Sequence, residues 1–179
     1  MVFDIYTLVE AIWLILPAYA ANGLVPLFKG KKPIDGGRRF MGKPLLGPAK
    51  TWEGLIWGVA IAVFISFIMI QSYPFLPWGI SPVPLSITPM SLHLGFLLGL
   101  GAMVGDIAGS FIKRRYGIQR GKPAPLLDQE DFIIGSLFFA ALLVAVNPSW
   151  AVLLLVITPL FHWVSNIAAY KLKVKDTPW

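Results

Sequence analysis

Three carboxylates and a run of cations lie close together in the second half of the chain. Asp106 is the single acid of the long apolar stretch that ends in "GDIAGSFIKRR", and Asp128 and Asp131 follow in "LLDQEDF". The chain has no cysteine and only two histidines. Such a set of side chains favours a hard cation such as Mg²⁺, which proteins bind through oxygen ligands together with substrate phosphates. The neighbouring Lys and Arg side chains suit those phosphates. A charged lipid headgroup and a nucleotide both fit this chemistry.

One helical face is predicted to collect the polar side chains near Asp106. Asp106, Ser110 and Lys113 stand at positions i, i+4 and i+7, with Arg114 close to the same face. The helix places Asp106 about 12 Å deeper than Arg114. An acid inside a membrane span costs about 2.5–3.5 kcal/mol on insertion scales and is a functional hypothesis by default. The structural alternative is an ion pair between Asp106 and Lys113. This interpretation is the weaker of the two, because Lys113 can reach the membrane interface by itself and leave Asp106 unpaired.

The other candidates have a structural and a functional interpretation. Asp128 and Asp131 share one face of a helix start, where acids also complement the helix dipole. In "KTWEG", Thr51 is predicted to cap a helix and Glu53 to be its first-turn acid. Lys50 would then lie at a positive helix end, which predicts a bound phosphate. The remaining candidates lie near the same face, where helix packing or a plain basic loop would also explain them: Asn22, Arg38, Lys122 and Asn166.

Composition identifies the elements that must position these residues. Apolar residues make up 56% of the 179 and charged residues 13%, where about 25% charged is usual in soluble proteins. A helix needs about 20 mainly apolar residues to cross a bilayer. We therefore predict an all-α integral membrane protein, one domain over 1–179, in which the helix of the short fourth span begins near Leu127. The five predicted spans are 5–28, 52–71, 92–113, 129–146 and 150–170.

The positions of the cations predict the orientation of these spans. All fifteen Lys and Arg residues lie in the first loop, the third loop and the C-terminal tail. The positive-inside rule places those segments in the cytoplasm and the N-terminus outside. The net charge of +6 is thus assigned to a membrane surface rather than to nucleic acid. The N-terminus carries Asp4 and Glu10 and no basic region, which predicts retained structure and not a secretory signal.

Two motifs resemble a known family. "GDIAGSFIKRRYGI" followed by "LLDQEDF" resembles the cytidylyltransferase signature of the CDP-diacylglycerol synthase family, and "KTWEG" resembles a second motif of that family. The short chain, the five spans and "RGKPAPLLDQ" are closer to its archaeal branch, the CDP-archaeol synthases. The chain departs from the bacterial pattern at Gln119, Arg120 and Gln129.

The resemblance implies that CTP and a lipid phosphate give a CDP-lipid and pyrophosphate at the cytoplasmic face of the cell membrane. For the archaeal branch the lipid is an isoprenoid ether lipid phosphate, 2,3-bis-O-geranylgeranyl-glycerol 1-phosphate. The implied metal ligands, for one or two Mg²⁺ ions, are Asp106, Asp128 and Asp131. Together with Lys113 they are the implied catalytic residues. The substrate-binding candidates are Asn22, Arg38, Lys50, Thr51, Glu53, Ser110, Arg114, Lys122 and Asn166.

Two alternatives belong to other classes. A CDP-alcohol phosphotransferase would carry an Asp-x-x-Asp-Gly-x-x-Ala-Arg pattern, which this sequence lacks. A small transporter would use Asp106 as an ion or proton site and would need a polar path to the outer face. The outer halves of the spans offer almost no ionisable residues besides Asp4 and Glu10. Glycine-faced helices also permit a homodimer without requiring one.

Overall fold

The described part of the chain folds mainly into five helices joined by loops, close to the predicted all-α class. The first long loop also carries a short two-stranded hairpin, β1 (Arg39–Phe40) with β2 (Lys43–Pro44). The computed structural model describes residues 4–28 and 30–171. The helices are α1 (Ile5–Leu24), α2 (Trp52–Ser72), α3 (Leu92–Arg115), α4 (Leu127–Ala140) and α5 (Pro148–Lys171). Short 3-10 turns span Val25–Leu27, Tyr73–Phe75 and Trp78–Ile80. Inside these elements, the side chains outside the described set are those of Ile80, His162, Ser165, Asn166, Ala168 and Ala169.

Helix length agrees with the predicted membrane character. In the described part of the chain, three helices are long and apolar enough to cross a membrane: Ile5–Leu27, Trp52–Phe75 and Leu92–Arg115. Helix α4 begins at Leu127 as predicted but ends at Ala140, before the predicted end of the fourth span at 146. Its 14 residues extend about 21 Å. The chain continues in turns until α5 begins.

Helices α3 and α4 pack with their backbones in direct contact. A Cβ atom at Gly105 would overlap the carbonyl oxygen of Asp131, and one at Gly135 would overlap that of Gly101. Such close approach needs small residues at the interface, which the glycines of α3 and α4 supply. The contact fixes the register between the helix that carries Asp106 and the one that carries Asp131.

The core lies where the helices meet, and its large side chains are fully buried. They come from α1, α3, α4 and α5: Leu14, Ile15, Leu94, Leu98, Phe132, Ile133 and Leu154. This rigid centre holds the ends of α2, α3 and α4 in fixed relative positions, and the charged residues are found at those ends.

The opposite end of the bundle is held by a buried carboxylate. Glu10 accepts hydrogen bonds from the backbone N–H of Ser86 at 2.5 Å and from Nε1 of Trp150 at 3.0 Å. Trp13 donates from Nε1 to the carbonyl oxygen of Thr88 at 3.0 Å. The uncharged loop between α2 and α3 and the start of α5 are therefore both anchored to α1.

Candidate functional site

The first cation of the site lies where helix α2 begins. Thr51 caps this helix, since its hydroxyl oxygen accepts the N–H of Gly54 at 3.1 Å, and the predicted cap is confirmed. Lys50, one residue earlier, places its ammonium nitrogen 2.5 Å from a carboxylate oxygen of Asp106. The two side chains keep 20% and 30% of their surface exposed. Thus Asp106 pairs with Lys50, and the alternative pairing with Lys113 is wrong.

Lys113 instead binds the acid at the start of α4. Its ammonium nitrogen lies 2.7 Å from Oδ1 of Asp128, whose Oδ2 accepts the N–H of Ala124 at 2.9 Å. Gln129 accepts the N–H of Leu126 at 2.6 Å. Leu126 has a φ of +68°, a strained value for a residue with a side chain. Two side chains therefore hold the chain in place as it enters α4.

The third acid lies against the glycine face of α3. A Cβ atom at Gly109 would overlap Oδ2 of Asp131, so the carboxylate occupies space that only a glycine leaves open. Asp131 lies within electrostatic range of Asp106, Lys50 and Asp128. The fold therefore gathers the three predicted carboxylates, from two helices, around two lysines.

The chemistry of these donors fits Mg²⁺, which takes oxygen ligands and few protein carboxylates at a time. Among residues 4–28 and 30–171, however, no three acidic, His or Cys side chains already form a group that could hold a metal ion. Asp106 and Asp128 each contact a lysine instead. Metal binding by the three acids requires these two lysines to be displaced from the carboxylates.

Two clefts adjoin the charged cluster and share part of their walls. The basic cleft, about 480 Å³, lies between the first loop and the end of α3. Its polar lining is Lys43, Lys50, Ser110, Lys113, Arg114, Gln119 and Arg120. The amphipathic cleft, about 500 Å³, lies between α1, α2 and α3. It combines Asn22, Lys50, Thr51 and Asp106 with apolar residues that include Val25, Phe28, Leu55 and Met103.

Some sequence-predicted residues lie elsewhere. Arg38 and Lys122 are exposed, and neither is among the residues that line the two clefts. Glu53 accepts the backbone N–H of Lys32 at 3.2 Å and so ties the first loop to α2. Asn166 is a predicted substrate-binding residue, and its side chain lies outside the described set.

Arg120 was not predicted, although it lines both clefts. Its signal in the sequence was the departure from the bacterial family pattern at Gln119 and Arg120. Lys50 is also shared by both clefts. Together, Lys50 and Arg120 place positive charge where the basic cleft meets the amphipathic cleft.

Asp35 was also missed, and it organises the loop that carries Lys50. This buried carboxylate accepts backbone N–H groups from Gly37 and Leu46, both at 2.9 Å, and from Gly47 at 3.0 Å. Burial raises the pKa of Asp35, but these hydrogen bonds outweigh it and hold the pKa below the ordinary value of 3.8. The "DGG" sequence indicated a turn but not the distant amides.

Comparison with known proteins gives a consistent result. A family model described as CarS-like CDP-archaeol synthase matches residues 3–179. The CDP-archaeol synthase of Pyrococcus furiosus is 42% identical, over 97% of this chain and 99% of the relative. That of Halobacterium salinarum is 41% identical, over 97% of each chain. A solved structure of an intramembrane enzyme for archaeal membrane lipids biosynthesis superposes with a TM-score of 0.74, at 38% identity, over 89% of this chain and 94% of the other.

Proposed function

The chain belongs to the CDP-archaeol synthase family, and we propose that its two adjoining clefts carry out the CTP-dependent formation of CDP-archaeol. The lipid acceptor in this proposal is 2,3-bis-O-geranylgeranyl-glycerol 1-phosphate. One observation carries the assignment of the site: Lys50 pairs with Asp106 at the wall that both clefts share. Two phosphate-bearing substrates have to meet at such a boundary for a phosphoryl-type transfer.

The basic cleft suits the triphosphate of CTP. Lys113 and Arg114 line it beside Ser110, and charge-assisted hydrogen bonds to phosphate are among the stronger ones. These cations hold the triphosphate and stabilise the departing pyrophosphate. Arg120, which lines both clefts, adds a further positive charge.

The amphipathic cleft suits the lipid phosphate. Its polar part, near Asn22 and Lys50, takes the headgroup, while apolar side chains such as Phe28 and Leu55 contact the beginning of the isoprenoid chains. The chains themselves stay in the bilayer and approach between helices. Aromatic stacking of Phe28 on Trp57, with centroids 4.6 Å apart, forms the apolar edge of this approach.

The reaction needs positioning more than acid–base chemistry. An oxygen of the lipid phosphate, already anionic at neutral pH, forms a bond to the α-phosphorus of CTP. The bond from that phosphorus to the bridging oxygen of the β-phosphate breaks, and its electrons leave with pyrophosphate. Catalysis of such in-line transfers comes mainly from alignment and charge neutralisation. Lys50 and Arg120 lie where both substrates can contact them.

Asp106, Asp128 and Asp131 would hold one or two Mg²⁺ ions. When bound, the metal neutralises charge on the phosphate oxygens. Lys50 and Lys113 would then have the phosphates as anionic partners in place of Asp106 and Asp128. Each positive group of the resting cluster thus keeps a negative partner when substrate binds.

The predicted topology completes the proposal. Five spans with the N-terminus outside place both clefts at the cytoplasmic face, because the cations of the first and third loops line them. The chain has no cysteine, so single-cysteine variants report the side of each loop. Met41→Cys should react with an impermeant thiol reagent only from the cytoplasmic side, and Val83→Cys only from outside. The reverse pattern would contradict the orientation.

The activity itself is tested with purified protein in lipid nanodiscs. CTP, MgCl2 and the geranylgeranyl lipid phosphate should release pyrophosphate and give a lipid product with the mass of the CDP adduct. EDTA should stop the release if Mg²⁺ is required. Absence of pyrophosphate and CDP-lipid under these conditions would refute the proposal. Ion flux across liposomes without CTP turnover would instead support the transporter.

A further inference from the structure

Arg115 ends helix α3 without lining the basic cleft. Its guanidinium donates hydrogen bonds to the carbonyl oxygens of Phe40 and Pro44, the second at 2.5 Å. Lys43 donates in return from its ammonium group to the carbonyl oxygen of Arg115, at 2.8 Å. Three contacts therefore join the end of α3 to a short segment of the first loop.

Two aromatic rings surround the same guanidinium. The central carbon of the guanidinium lies 5.2 Å from the ring centroid of Phe40 and 5.0 Å from that of Phe111. Both distances are within the range of cation–π attraction. A planar guanidinium forms two directed hydrogen bonds and stacks on rings at once, and a lysine ammonium does not reproduce that combination.

The segment that Arg115 contacts is a hairpin with little support of its own. Strand β1 (Arg39–Phe40) pairs antiparallel with β2 (Lys43–Pro44). Met41 and Gly42 both have positive φ, +52° and +76°, as in the tight hairpin turns that match strand twist. An isolated two-stranded hairpin is only marginally stable in water. Asp35 holds the base of the hairpin through Gly37, Leu46 and Gly47. The contacts with α3 hold its outer part, where Lys43 and Pro44 line the basic cleft.

We propose that Arg115 is a positioning residue, which holds the β1–β2 hairpin at the wall of the basic cleft and so keeps Lys43 facing the phosphates of CTP. The inference rests on the proposed function, because the cleft has to bind CTP for the hairpin to affect turnover. Arg115 itself touches neither substrate.

Steady-state kinetics give the first test. Arg115→Ala should raise the KM for CTP about tenfold and change kcat less than about twofold, the pattern of lost binding without lost chemistry. Arg115→Lys keeps the charge but loses the two directed hydrogen bonds of the guanidinium. Most of the increase in KM seen for Arg115→Ala should therefore remain. Lys31→Ala is the control, because it removes an exposed cation of the first loop, the loop that carries the hairpin, and Lys31 lines neither cleft. Its KM should stay at the wild-type value, and an equal increase there would assign the effect to net charge and overturn the proposal.

A second readout does not depend on activity. Met41, at the tip of the hairpin, is 82% exposed, and Met41→Cys would provide a unique site for a nitroxide label. The motion of the label should become faster when Arg115→Ala or Arg115→Lys is added. It should stay the same when Lys31→Ala is added. Unchanged label motion in both Arg115 variants would refute the positioning role. If the wild-type protein released no pyrophosphate, the proposed function would fail, while label motion would still decide whether Arg115 holds the hairpin.

Discussion

The ammonium nitrogen of Lys50 lies 2.5 Å from a carboxylate oxygen of Asp106, which is 56 residues further along the chain. Lys50 precedes the cap of α2, and Asp106 belongs to α3. A cation is disfavoured at the positive end of a helix, and here a carboxylate from another helix offsets that cost. The pair places opposite charges where both clefts meet.

Asp106→Asn should abolish turnover, with a loss of at least about a hundredfold, since electrostatic groups at a reacting centre carry effects of that size. The variant keeps the volume of the side chain, so insertion and helix content should not change. Pyrophosphate release and circular dichroism measure the two quantities. Asp4→Asn is the control, because Asp4 caps α1 at the other end of the bundle and Asn caps equally well. Near wild-type turnover by Asp106→Asn would refute the site assignment.

Gly105→Ala should destabilise the protein and reduce its activity together. The new Cβ would meet the backbone of α4 at Asp131, and overpacking typically costs about 1–3 kcal/mol. Separation of α4 from α3 also moves Asp131 away from Asp106. The midpoint temperature of unfolding in detergent should fall, and so should the rate of pyrophosphate release.

Gly23→Ala is the matched control for that substitution. A Cβ at Gly23, near the end of α1, has nothing within 4 Å. Alanine is favoured over glycine in a helix by about 1 kcal/mol, so this variant should be as stable as the wild type or more so. A loss of stability equal to that of Gly105→Ala would show that the α3–α4 contact is not the cause.

The first loop should lose its fixed structure in acid because of Asp35. Its carboxylate is held by three backbone N–H groups, which keep its pKa below 3.8 in the folded loop. The stabilisation is therefore complete above pH 3.8 and is lost as the pH falls through the lower folded pKa. Limited proteolysis across pH 3–7 measures it, with an acid-tolerant protease.

Asp35→Asn should expose the loop to proteolysis already at pH 7, because the amide keeps only one acceptor oxygen. Gly37 contacts one carboxylate oxygen, and Leu46 and Gly47 contact the other, so the variant leaves at least one backbone N–H without its acceptor. Glu130→Gln, which neutralises an acid outside this loop, should leave the cleavage pattern unchanged. Equal protection of the wild type and Asp35→Asn at pH 7 would contradict the role of the carboxylate.

Features that depend on neighbouring residues in the chain were predictable from the sequence. The five helices follow from apolar composition, and the Thr51 cap follows from local capping preferences. The start of α4 near Leu127 follows from the shortness of the fourth apolar stretch. That Asp106 and Asp131 belong to one site was implied by the motifs that resemble the family. The close contact of α3 with α4 at their glycines agrees with it.

The choice of ion-pair partners was not predictable. Spacing along α3 placed Lys113 near Asp106, but the rotation of α2 and the entry into α4 bring Lys50 to Asp106 and Asp128 to Lys113. Those rotations are set by contacts between helices, which periodicity does not encode. Asp35 escaped notice for the same reason, since two of its three amide partners are more than ten residues away.

Glu10→Ala should destabilise the protein without impairing catalysis. The substitution leaves the N–H groups of Ser86 and Trp150 without the acceptor they contact. An unsatisfied buried group costs about 1–3 kcal/mol, so the free energy of unfolding should fall by about 3 kcal/mol. At a temperature where the variant remains folded, kcat should stay within about twofold of wild type, because the clefts lie at the other end of the bundle.

A second substitution of Glu10, by Gln, bears on the transporter alternative. Asp4 accepts the N–H of Thr7 at 2.7 Å, and Glu10 has the two partners already described. Both acids at the end of the bundle away from the clefts therefore have structural partners. A polar path from Asp106 to the outer face would need Glu10 as a relay, and Glu10→Gln would then stop function while leaving stability nearly intact. We expect the opposite order of effects: pyrophosphate release by Glu10→Gln should match that of the wild type, whereas thermal unfolding should shift downward. Lost activity in a stably folded Glu10→Gln protein would contradict the purely structural role.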